Sequence, residues 1–149
     1  MTRRRRRPWW QKHSLTLVAG AILVLWILLY AKSSPDTHLG SFFGNAIADW
    51  TGLVVMALAT AHLYEKGSAE SRQPRGILPS RVEEVLRDHS LTIFLLITGA
   101  LWVALFARMN AQGKWGQVVG NIVSEWTQIL GVVLLTKRLI EYGSKDSRR

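Results

Sequence analysis

Cysteine is absent from this chain, which excludes disulfides, zinc–thiolate centres and thiol nucleophiles. Acid is scarce, with 10 Asp and Glu against 19 Lys and Arg and a formal net charge of +9. No Gly-rich phosphate loop, nucleophile elbow or zinc motif occurs, and the polar stretches are too short to house one. An enzyme is therefore not expected, nor any cofactor or bound metal. His38 and His62 lack ligand spacing.

Charge is also missing, or nearly so, from residues 14–31, 42–60, 90–107 and 118–136. Each run has the length, about 20 residues, at which a helix rising about 1.5 Å per residue crosses about 30 Å of hydrocarbon. A soluble four-helix bundle needs a polar stripe on every helix, and the first and third runs have none. The fold class that follows is an all-α membrane protein with four transmembrane helices. The first run is expected to be a retained anchor. It is long for a signal peptide and no small-x-small cleavage site follows it.

The runs are related. His13-Ser14-Leu15-Thr16 returns as His89-Ser90-Leu91-Thr92, and Leu25-Trp26, Gly44-Asn45 and Trp50-Thr51 return 76 residues later. Leu63, Glu65 and Gly67-Ser68 likewise match Leu139, Glu141 and Gly143-Ser144. Aligned without a gap, residues 13–68 and 89–144 are identical at 19 of 56 positions, which implies internal duplication. The expected organisation is a basic arm (1–12), a two-helix repeat (13–68), a linker with a short amphipathic helix (69–88), a second two-helix repeat (89–144) and a tail (145–149). Two tandem hairpins place both repeats in the membrane from the same side, related by a pseudo-two-fold axis along the membrane normal.

The basic residues are unevenly placed. Six lie in the arm, five between Lys66 and Arg87, and five from Lys137 onward, so 16 of the 19 fall on one side of the expected topology. The positive-inside rule makes that side cytoplasmic, with both termini inside. Arg3, Arg4, Arg5, Arg6 and Arg7, with Trp9 and Trp10, are expected to contact anionic headgroups. Docking of nucleic acid or of an acidic protein by the arm is the alternative. Ser80 and Glu83 have capping-box spacing, predicting a short helix over residues 81–88.

The candidate site is a pair of acids. Asp49 and Glu125 occupy matching positions deep in the second and fourth runs, with Asn45 and Asn121 four residues earlier and Thr51, Thr127 and Gln128 close by. A charged carboxylate near the bilayer centre costs about 2.5–3.5 kcal/mol on the insertion scale, so both acids are expected to face protein or water. One reading is polar packing, in which these groups hold helices together and Trp50 and Trp126 mark the outer interface. The other is a proton- or cation-binding site in a small oligomeric channel or carrier. His13 and His89 are expected to cap the entrances of their helices. Ala57, Ala59, Ala61, Gly99, Ala100 and Gly131 favour close helix approach, within the chain or between copies.

Three of these elements carry a resemblance: Ser124-Glu125-Trp126-Thr127-Gln128, the His-Ser-Leu-Thr starts, and Lys66-Gly67-Ser68-Ala69-Glu70-Ser71. Together they resemble an uncharacterised bacterial family of small, internally duplicated four-span membrane proteins, over nearly all the chain outside the arm. The resemblance implies bacterial origin and membrane placement, and no activity. The first repeat departs from the pattern, since Ala48 and Gly52 stand where the second has Ser124 and Gln128.

Overall fold

In a computed structural model, residues 8–71, 80–137 and 139 are described. Among them the chain forms six helices and no strand: α1 (Trp9–Lys12), α2 (Ser14–Lys32), α3 (His38–His62), α4 (Arg81–Asp88), α5 (Ser90–Arg108) and α6 (Lys114–Leu135). Helices α2, α3, α5 and α6 are long and apolar enough to cross a membrane. The fold is all-helical, as expected. Arg3, Arg4, Arg5, Arg6 and Arg7, the linker between residues 72 and 79, and the tail lie outside the described residues.

The apolar runs locate the spans but not their ends. Helix α3 starts at His38, four residues before its apolar run, because Thr37 caps it by accepting from the Gly40 N–H at 3.0 Å. Helix α2 stops at Lys32, and its last carbonyls are capped from another helix. The Lys114 ammonium donates to the carbonyls of Ala31 at 3.0 Å and Ser33 at 2.6 Å. In return the Tyr30 hydroxyl donates to the Lys114 carbonyl at 2.6 Å. These bonds hold the end of α2 against the start of α6.

Helix α2 packs on α3, α5 on α6, and α3 on α6, an order compatible with two tandem hairpins meeting along α3 and α6. In the most apolar stretch of each helix, 33% of α3 and 28% of α6 are buried, against 11% of α2 and of α5. The two less apolar helices are therefore the inner pair. Two buried clusters fill the contacts. One joins Tyr30, Ile47, Ala48, Val118, Ile122 and Trp126, and the other joins Ala59, Leu91, Leu95 and Val133. The outer helices leave Val18, Leu25, Leu28, Ile97, Leu101 and Val103 exposed, an apolar surface suited to acyl chains.

Backbone contacts recur at the 76-residue offset. Ser33 N–H donates to Tyr30 and Met109 N–H to Phe106, while His13 N–H donates to Trp9 and His89 N–H to Val85. A ring crosses a glycine in each half. A Cβ on Gly44 would lie 3.1 Å from Tyr30, and one on Gly120 would lie 3.0 Å from Phe106.

Candidate functional site

The central helices present one polar cleft between them. Asn121 donates through Nδ2 to Asn45 Oδ1 at 2.6 Å, joining two positions 76 apart. The cleft, about 140 Å³, is lined by these two amides with Ala48, Asp49, Ser124, Glu125 and Gln128. Asp49 lies 11 residues from the first residue of α3 and 13 from the last, and Glu125 lies 11 and 10 from those of α6. Each acid is thus near the middle of its helix, roughly 15–20 Å from either end at helical rise.

The cleft opens outward. Asn45, Asp49, Ser124 and Gln128 are exposed, and Asn121 and Glu125 are half-buried. Among the described residues, no hydrogen bond or ion pair reaches the side chains of Asp49, Ser124, Glu125 or Gln128. One face of α3 and α6 therefore exposes polar groups at the depth where the outer helices expose apolar side chains such as Leu25, Ile97 and Leu101.

Unequal residues in the two halves shape this cleft. Ala48 is 1% exposed and belongs to the core, whereas its counterpart Ser124 lines the opening. Gly52, the counterpart of Gln128, is where α6 approaches α3. A Cβ there would meet Glu125 Cγ at 2.8 Å, Glu125 Oε1 at 2.9 Å and Ile129 Cδ1 at 2.9 Å. The Glu125 side chain lies over a gap that only glycine leaves.

Other expected site residues lie elsewhere. Thr51 donates to the Ile47 carbonyl at 2.6 Å and Thr127 to the Ser124 carbonyl at 2.7 Å, so both hydroxyls are satisfied within their own helices. Trp126 does not mark a membrane interface. It is 4% exposed at mid-helix, its Nε1–H donates to Thr98 Oγ1 at 2.9 Å, and its ring meets Trp102 at 5.9 Å. Trp50, its counterpart, is half-buried in the middle of α3, so neither indole stands at a helix end. Trp9 and Trp10 are exposed on α1. His13 and His89 occupy the residues before α2 and α5, but neither side chain makes a capping hydrogen bond. His13 stacks near Trp9, with ring centroids 5.0 Å apart. His89 serves a different group.

That group is Glu65, which the sequence marks only as a position repeated at Glu141. Residues 64–66, just beyond α3, run beside the start of α5. Leu91 N–H and Ser90 Oγ donate to the Tyr64 carbonyl, both at 3.1 Å, and Lys66 N–H donates to the Asp88 carbonyl at 2.7 Å. The Glu65 carboxylate, fully buried, accepts from Thr92 N–H at 3.3 Å, from His89 Nδ1 at 2.7 Å and from the Lys137 ammonium. It is a cap for α5 supplied by the preceding hairpin and locked by the end of α6. Burial pushes its acidity down, but the hydrogen bonds from Lys137, Thr92 and His89 outweigh that and hold its pKa below the usual Glu range. The signal was present, since a Glu returns at each repeat exit and a His at each repeat entrance. The matching Glu141 lies outside the described residues.

A scan against protein-family models finds no match, and no curated protein or solved structure matches the chain.

Proposed function

We propose that this chain is a non-enzymatic, multi-pass inner-membrane protein that works by helix packing, as a self-associating or accessory subunit of a membrane assembly. The observation that carries the proposal is the outward-facing polar cleft at mid-helix on α3 and α6. Lipid tails cannot solvate two acids and four amide or hydroxyl side chains, so this face favours a protein partner that supplies hydrogen bonds. A second copy offers the same donors and acceptors: Asn45 and Gln128 amides facing Asp49 and Glu125 across a two-fold axis. The two halves of the chain derive from a duplicated hairpin. Both termini lie in the cytoplasm, where the arginine arm grips anionic headgroups, and nucleic acid is not the partner.

The test is disulfide trapping, which the absence of native cysteine makes clean. Ser124→Cys and Gln128→Cys in liposomes should form covalent dimers under mild oxidation, while Leu101→Cys on the outer helix should not. Purified protein that stays monomeric at every protein-to-lipid ratio, with no partner co-purifying, would remove the proposal.

One observation favours a second reading, a proton or cation pathway. A further groove of about 260 Å³, lined by Met56, Glu70, Glu125, Gln128, Ile129 and Val132, shares Glu125 and Gln128 with the central cleft. Glu70 also lines a cleft of about 510 Å³ at the end of the bundle, beside His62 and Arg87. Shared lining residues, Glu70 and then Glu125 and Gln128, make the three spaces neighbours from that end to the acids. Ion flux in liposomes that disappears in Asp49→Asn and Glu125→Gln would select this reading.

A further inference from the structure

Among the described residues, nothing covers an apolar edge of helix α4. Val82, Val85 and Leu86 lie at i, i+3 and i+4 on one face and are 69%, 55% and 53% exposed. Glu83, Glu84 and Arg87 occupy the other side, and residues 81–86 are all exposed. Among the described residues, only the last turn is attached to the bundle. Asp88 is buried, and it pairs with Lys66 at 3.2 Å and Arg87 at 3.0 Å.

Attachment fixes where this edge sits. His89 alone separates α4 from the spanning helix α5, and the Lys66–Asp88 contacts tie the same point to the exit of α3. Helix α4 therefore lies where two spans leave the hydrocarbon. A second observation comes from the other half of the chain. Val85 and Leu86 stand 76 residues after Trp9 and Trp10, which are 64% and 63% exposed. Each apolar pair begins four residues before a His-Ser-Leu-Thr entrance, and the His13 and His89 N–H groups close the turn by donating to the Trp9 and Val85 carbonyls. Both entrances thus carry two large apolar side chains at one height, whatever their identity. In water these groups would stay unsolvated, whereas the boundary between headgroups and acyl chains takes the apolar face and leaves Glu83 and Glu84 wet.

We propose that α4 is an interfacial foot, lying in the plane of the bilayer surface with Val82, Val85 and Leu86 among the upper acyl carbons. With Trp9 and Trp10 it forms a pair of anchors, one per entrance, that set the height of α2 and α5 in the bilayer. The occupant of the edge is lipid.

Spin labels on single cysteines of the full chain in liposomes test this. Val82→Cys, Val85→Cys and Leu86→Cys should be relaxed by oxygen and shielded from a water-soluble nickel chelate, and Glu83→Cys and Glu84→Cys should show the reverse. Labels at 82, 85 and 86 equally open to the nickel reagent would overturn the proposal in favour of a solvated linker. Labels closed to both reagents would overturn it in favour of a protein covering. A label at Leu101 reports membrane insertion independently, so failure of the foot is distinguishable from failure of the spans.

Discussion

Replacing Lys137 by methionine and Glu65 by glutamine should not cost the same, although the two side chains form one ion pair. The carboxylate is fully buried, whereas the Lys137 side chain is 25% exposed and that of His89 is 42% exposed. In Glu65→Gln the cations left behind still reach water. The loss is then mainly the cap of α5 and a charge-assisted hydrogen bond, about 1–2 kcal/mol. In Lys137→Met the carboxylate stays buried without its ammonium, and the cost moves towards about 3–5 kcal/mol, the range for a broken buried pair. The pH dependence separates the two further. In the native protein the Glu65 pKa is held low, so its contribution is complete above the ordinary Glu value near 4.3 and is lost as pH falls through the folded value. Glu65→Gln should remove that acid-side loss. Without Lys137, only the Thr92 and His89 bonds oppose burial, so the Glu65 pKa should rise from its native position and Lys137→Met should lose less stability on the acid side than the native protein. Denaturation in mixed micelles, followed by circular dichroism from pH 3 to 8, measures all of this, and Glu65→Gln should rescue most of the Lys137→Met deficit in the double variant. Equal costs, parallel pH slopes and additive effects would refute the idea that a stranded carboxylate sets the energetics here.

Gly52→Ala should destabilise by about 1–3 kcal/mol, since its Cβ would overlap Glu125 Cγ, and adding Glu125→Ala should recover part of that loss in the same unfolding assay. Trp126→Phe should cost about 1 kcal/mol by removing one hydrogen bond, Thr98→Val somewhat more because it also removes the bond to the Phe94 carbonyl, and the pair together should cost less than the sum. Lys114→Met should free the end of α2, costing about 0.5–2 kcal/mol and speeding amide exchange at Ser33.

The spans were legible because hydrocarbon thickness imposes a length and a composition that survive in any sequence. Helix ends were less so: the start of α3 depends on Thr37 and the end of α2 on Lys114, a residue more than 80 positions away. The capping role given to His13 and His89 followed from their place at helix starts. Which group fills the cap is decided by the neighbouring hairpin, and Glu65 has no nearby partner in sequence to announce it. Asp49 and Glu125 were found by depth, and Asn45 and Asn121 by sharing their faces. Thr51 and Thr127 were legible only as polar residues, because a hydroxyl can turn to its own helix, a choice that spacing does not reveal.

The differences between the two repeats bear on the proposed association more than the likenesses do. Had Ser and Gln stood at positions 48 and 52 as well, α3 and α6 would face each other with equal polar bulk, and neither would close on the other. Ala48 and Gly52 let α6 seat against α3, which turns Ser124, Glu125 and Gln128 towards the opening beside Asp49. The polar residues are thereby withdrawn from the seam within the chain and collected on one outer face. Leaving both acids ionised against lipid at the bilayer centre costs about 5–7 kcal/mol on the insertion scale, comparable to the stability of many folded domains. In the proposed association a second copy would relieve that cost without any change of fold. Asp49→Leu combined with Gln128→Leu should therefore shift the protein from dimer to monomer in nanodiscs while leaving its helix content and the Glu65-dependent acid transition unchanged. An intact dimer in that variant would place the interface elsewhere on the bundle.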